Sequence, residues 1–278
     1  MQSTFLKRFM RRKLSVVAAY VLLFFILVAL FGPYICPYNP LKQDLKNIYG
    51  GMTREHWLGT DNLGRDTLTR LVYGARVSLG ISFAGVLCGC FVGVILGVCA
   101  AYFGKWIDTI ICRLIDVMLA FPGLLLAITI SAILGNGIYN TALAIAIFSV
   151  PSIARMVRSI VLVIRSQEYV LACHVMGLSN LRIIFTHIIP NAMSQIIVNT
   201  TLNLGSAILT ASSLSFLGLG VQPPNPEWGT MLSQAREVIR TDPIGVLMPG
   251  ICITLVVLSF SLVGDGLRDA LDPKLKNT

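Results

Sequence analysis

Catalysis needs reactive side chains at fixed spacings, and this sequence has few. Its only Gly-Lys pair, Gly104-Lys105, is followed by Trp106, so no Gly-x-x-x-x-Gly-Lys-Ser/Thr loop cradles a nucleotide. His56, His174 and His187 are scattered, and neither a His-Glu-x-x-His helix nor a Gly-x-Ser-x-Gly elbow occurs. The seven cysteines show neither a disulfide framework nor zinc spacing. Cys88, Cys90, Cys99, Cys112 and Cys252 lie in apolar runs and read as small hydrophobes, with Cys36 in a loop. The chain therefore reads as non-catalytic, with no metal site and no energy source of its own. Within the apolar runs the ionisable pair is Arg113 and Asp116, expected to neutralise each other three residues apart on one helix face.

Two polar patterns are spaced for contact rather than catalysis. Asn199, Asn203, Ser206, Thr210 and Ser213 advance by four, three, four and three residues, which puts them on one helical stripe. Such a stripe can line a hydrated path or hydrogen-bond to a neighbouring helix, and the sequence leaves both open. The second pattern is the insertion 163–195 between apolar runs. Glu168 opens a helix-compatible stretch, where a carboxylate favours the positive helix end. Gly177 interrupts the stretch, Ser179 or Asn180 can cap a second helix, and Pro190 is expected to end it. Two short helices hinged on a glycine make either a docking knob for a soluble partner or an amphipathic hairpin on lipid.

The elements that position these groups must lie in a bilayer. Of 278 residues 55% are hydrophobic and 13% charged, and the mean hydropathy is +0.77. That is about half the charge of a soluble domain. Six runs are long enough to span, near 14–35, 77–101, 109–134, 141–162, 196–219 and 246–264. The net charge of +9 does not indicate nucleic acid, because the basic residues sit in short segments between apolar runs. Lys7, Arg8, Arg11, Arg12 and Lys13 precede the first run without an acid, which predicts a cytoplasmic N-terminus. No small-residue cleavage pattern follows that run, so it reads as a retained helix. Alternation then puts 36–76 and 220–245 outside, and 163–195 with the C-terminus inside. The expected organisation is 1–35 for the N-terminus and first helix, 36–76 for a periplasmic segment, 77–264 for a five-helix core, and 265–278 for a cytoplasmic tail. Prolines 122, 151 and 249 predict kinks.

Four blocks carry a resemblance. Gly177 and Pro190 keep the spacing of the Glu-Ala-Ala loop of bacterial ABC importer permeases, with Leu171-Ala172-Cys173 in the Glu-Ala-Ala place and Glu168 one turn earlier. His56-Trp57-Leu58-Gly59-Thr60-Asp61-Asn62-Leu63-Gly64-Arg65-Asp66 is similar to that family's external segment. Leu214 through Pro224, running on to Glu227-Trp228-Gly229, resembles the block after the fifth helix, and Gly264 through Pro273 resembles the tail. The chain thus resembles, over nearly its whole length, the shorter permease of the dipeptide/oligopeptide/nickel pair. Asp116 with Ala120-Phe121-Pro122 is similar to the dipeptide and glutathione branches.

The resemblance implies an all-α type I importer permease of six spans in the bacterial inner membrane, moving dipeptides, short peptides or glutathione inward. A nickel or metal-chelate importer and an ATPase-independent carrier or channel are the alternatives. Implied partners are a homologous second permease, two ATPases that bind ATP and Mg, and a periplasmic binding protein. Glu168, Leu171, Ala172, Cys173, Gly177 and Pro190 would form the coupling element. Asn199, Asn203, Ser206, Thr210 and Ser213 are the pathway candidates. Trp57, Asp61, Arg65, Asp66 and Trp228 are candidates for periplasmic docking; membrane anchoring is the alternative for the tryptophans, and local charge pairing for the other three.

Overall fold

The computed structural model describes residues 9–271. Lys7 and Arg8 of the basic cluster, and Asp272 and Pro273 of the tail block, lie outside the described residues. Among the described residues the regular structure is helical, with one isolated bridge between Thr60 and Asp66 in the segment after the first helix.

Helix α1 (Lys13–Ile35) is apolar all round, as a span between lipid and a bundle must be. An external segment leads to α2 (Thr67–Phe103), whose first turn is capped by Asp66 accepting from the Thr69 amide at 2.7 Å. The third apolar run is two helices, α3 (Lys105–Ala120) and α4 (Gly123–Leu134), bent by 96° at Phe121-Pro122. Proline disfavours the helical conformation of the residue before it, so the expected kink at Pro122 is a full break. Among the described residues, five helices are therefore long and apolar enough to cross a membrane, or six if the bent pair makes one span. Helix α5 is Ile138–Arg165 and α6 is Glu168–Val175.

Next come α7 (Asn180–Ile183), a π-helical turn Ile184–Ile188, and α8 (Ile189–Phe216), which run on as one rod. Pro190 therefore does not end the second short helix as expected. It sits in the first turn of α8, where the preceding π turn accommodates the missing amide donor. The sequence from α9 (Trp228–Ala235) leads to α10 (Pro243–Leu271), which passes the expected end at residue 264 by seven residues.

The bundle is organised on α2 and α5. Gly85, Gly89, Gly93 and Gly97 recur every four residues along α2 and face α5. A methyl at Gly89 or at Gly97 would lie 2.6 Å from the carbonyl oxygen of Ala146 or of Ala154. Water-driven hydrophobic attraction is missing between helices in lipid, so such close backbone approach is a main source of adhesion. Gly264 and Gly266 serve α10 likewise, against Leu202 of α8 and Ser15 of α1. The chain reverses so that segments 36–66 and 217–242 meet at one end of the bundle. Loop 166–179 and the two described chain ends lie at the other, where Arg12 pairs with Asp269 at 2.7 Å.

Candidate functional site

At the first end the loops form a tied layer. The Asp61 carboxylate accepts from the amides of Leu63 (2.9 Å) and Arg65 (3.0 Å), and from Nε of Arg65 (2.7 Å) and Arg70 (3.2 Å). Asp66 receives His56 Nδ1 at 2.9 Å while capping α2. Arg65, Arg70 and Asp66 are buried, and their pairs with Asp61 and His56 hold the segment together. Arg70 also donates to the carbonyls of Pro40 (3.2 Å) and Pro224 (3.4 Å), which fastens both loop segments to α2. The adjoining cavity of about 30 Å³, lined by Tyr49, Asp61, Thr67 and Arg70, has room for water only.

Trp228 corrects a docking assignment. It is 0% exposed: its ring packs beside Gly74 and edge-on to Phe25, and its indole donates to the Leu71 carbonyl at 3.0 Å. The missing side chain at Gly74 makes the slot, so Trp228 is a core residue. Glu227 just before it is also fully buried; it accepts from Ser78 (3.0 Å), Ser212 (3.4 Å) and the Thr230 amide (2.9 Å). It thus joins α2, α8 and α9. Trp57, at 69% exposure, is the aromatic that this end leaves on its surface from the docking set.

At the opposite end, α6 and α7 form a hairpin around Gly177. The Leu178 amide bonds to the Cys173 carbonyl (3.1 Å) and the Gly177 amide to that of His174 (3.0 Å). These two bonds make a Schellman end, which requires the positive φ of +77° found at Gly177. Glu168 is the first residue of α6, and Ser179 holds the N-cap position of α7 without a side-chain cap bond. Val170, Cys173 and Ile183 are buried and root the hairpin, while Ala172, Leu171 and Val175 are exposed, Val175 at 88%. Pro190 lies seven residues past Ile183, inside the rod and away from the hairpin tip.

The expected Arg113–Asp116 pair does not form. Asp116 pairs with Arg155 of α5 at 2.5 Å, and Asp108 takes Arg158 of α5 in a two-bond fork at 2.6 and 2.7 Å. Antiparallel packing of α3 on α5 brings Arg155 into reach of Asp116 and lets Arg158 meet Asp108 with its planar fork. Sequence reading missed Asp108, the buried bridging role of Glu227 and the glycine stripe. The stripe alone had a legible signal, glycine at every fourth position.

The polar stripe of α8 lies off the chain's own core. Leu204, Ile208, Ala211 and Ser215 are buried, whereas Ser206 is exposed and Asn199, Asn203, Thr210 and Ser213 are half-buried. Asn203, Thr210 and Ser213 each bond to a carbonyl one turn earlier, at 2.9, 2.9 and 2.7 Å. A lipid-compatible helix can therefore carry them.

A bundle of this kind, with a tied loop layer at one end and a hairpin at the other, is a multi-pass membrane protein with the type I ABC permease fold. A solved structure of the MetNI methionine ABC transporter shares that fold, with a TM-score of 0.60 at 16% identity over 73% of this chain and 97% of that one. Residues 91–277 match the family "binding-protein-dependent transport system inner membrane component", and 3–51 match "N-terminal TM domain of oligopeptide transport permease C". The chain belongs to the family of binding-protein-dependent transport system inner membrane components. It is 49% identical to the dipeptide transport system permease protein DppC of Alkalihalophilus pseudofirmus, over 98% of this chain and 89% of that protein. It is 45% identical to the glutathione transport system permease protein GsiD of Pectobacterium atrosepticum, over 98% of this chain and 91% of that protein.

Proposed function

We propose that this chain is one of two permease subunits in an ATP-driven importer of dipeptides, short peptides or glutathione. The hairpin carries the reading: a rigidly terminated, exposed element at the end of a membrane bundle is built to be gripped by a soluble subunit. Residues 166–183 dock on an ATPase that binds ATP and Mg, with Leu171, Ala172 and Gly177 at the contact and Val170 and Cys173 rooting it. Pro190 acts at the base of the rod. This end and both termini face the cytoplasm, consistent with Arg11 and Arg12 ahead of α1 and Lys13 at its start.

The loop layer faces the periplasm and receives a binding protein, with Trp57 as its exposed aromatic. Asp61, Arg65 and Asp66 shape that surface from beneath. Asn199, Asn203, Ser206, Thr210 and Ser213 line the path against the second permease. ATP-driven closure of the ATPases favours one of two permease arrangements through contacts that differ between them. The dipeptide and glutathione permeases that match nearly the whole chain support the substrate class.

The test is uptake of labelled dipeptide and of labelled glutathione by cells producing the chain with its partners. Uptake that stops on ATP depletion and survives collapse of the proton gradient is expected. Uptake that follows the proton gradient would return the chain to the carriers.

A further inference from the structure

The hairpin is joined to the end of α2 by one side chain. Tyr102, one residue before the end of α2, is 5% exposed. Its hydroxyl donates to Asn180 Oδ1 at 2.9 Å. That leaves its lone pair for His174 Nε2–H at 3.4 Å, and the two rings stack 6.0 Å apart at 24°. His174 belongs to α6 and Asn180 to α7, so one hydroxyl ties both arms of the hairpin across Gly177. Arg165, the last residue of α5, closes the same corner: it donates to the Ala101 carbonyl at 3.0 Å and lies 6.0 Å above the Tyr102 ring. Burial alone would be met by phenylalanine, the residue next to it at Phe103. What tyrosine adds is the pair of bonds to the hairpin.

We infer that Tyr102 is a positioning residue that transmits hairpin movement to α2 and α5. The inference rests on the reading that the hairpin docks on an ATPase. The tie acts on a stiff body, because Gly85 through Gly97 lock α2 to α5 over about three turns. A load on α6 and α7 then reaches the membrane core at Tyr102 as well as through the chain at Arg165 and at the rod.

Hydrogen exchange of the full complex, purified with its ATPases and second permease, tests this. Exchange is followed with and without ATP plus vanadate. In the parent complex, trapping is expected to slow exchange in peptides covering 166–183 and also 98–104. Tyr102→Phe keeps the first response and shrinks the second by at least about fivefold, the factor of the stronger of the two lost hydrogen bonds taken alone. The complex still assembles, and Asn180→Ala adds nothing further to the loss at 98–104, as expected for partners in one contact. A 98–104 response that survives Tyr102→Phe, or that the parent lacks, overturns the transmission role. So does loss of both responses in the variant, because Tyr102 would then serve docking itself. No response at 166–183 in the parent instead refutes the docking reading. Should Tyr102→Phe fail to assemble, the His174→Ala and Asn180→Ala double variant carries the same comparison, with the same two outcomes.

Discussion

Replacing Gly89 by alanine should separate two effects that usually mix. The added methyl would stand 2.6 Å from the Ala146 carbonyl oxygen and 2.9 Å from Ser149 Cβ, both on α5. Reaching ordinary contact requires α2 and α5 to part by about 0.8 Å there, and most of the seam above and below loses attraction with it. Overpacking of this kind costs about 1–3 kcal/mol. Alanine also favours the helix by about 1 kcal/mol over glycine. Gly80, on the same helix, has no atom within 4 Å of the corresponding methyl, so there only the helix gain applies. The expected difference between Gly89→Ala and Gly80→Ala is therefore about 1–3 kcal/mol, with Gly80→Ala at or above the parent. Thermal melts of the purified complex in mild detergent, read by size-exclusion chromatography after heating, measure it. Gly97→Ala, 2.6 Å from the Ala154 carbonyl, should behave as Gly89→Ala does. Equal melting of the Gly80 and Gly89 variants would refute the close-approach account of the α2–α5 seam.

Trp228→Ala should cost about 3–5 kcal/mol, because it empties the slot beside Gly74 and removes the indole bond that ties α9 to the Leu71 carbonyl of α2. Its signature is lower yield and melting temperature; a variant with full stability that lost only binding-protein affinity would restore the docking role. At Gly177 there is open space but φ is +77°, so Gly177→Val strains the turn without a clash. Membrane insertion is expected to stay normal while uptake falls severely, and full uptake at normal expression would count against the hairpin's role. Burial, then the charges of Asp61, Asp242 and Glu237, hold the Tyr49 phenol above its ordinary pKa. Its contribution to stability is complete below the unfolded phenol range and is lost as pH rises through the folded value. Tyr49→Phe should flatten that alkaline limb in melts taken across the range; an unchanged slope would show that the phenol does not set it. Cysteines placed at Asn199 and Asn203 should react with aqueous thiol reagents in at least one nucleotide state of the complex, and inaccessibility in every state would remove them from the path.

Apolar runs of spanning length and a basic cluster ahead of the first run are properties of chain composition, and a bilayer acts on composition directly. The helices, their order and the membrane class were therefore legible in the sequence. So was the hairpin at Gly177, because a Schellman end is a local structure that its own residues specify. Tertiary packing decided what local spacing cannot express. Asp116 took Arg155 from another helix instead of Arg113, because α3 and α5 come to lie side by side. Trp228 went into the core because Gly74, 154 positions earlier, leaves it room. The 96° break at Pro122 and the continuation past Pro190 show one residue type with opposite results. In the second case a π turn was available to absorb the missing donor. A proline's consequence is set by the turn before it and by the helices around it, and those are fixed only when the whole chain packs.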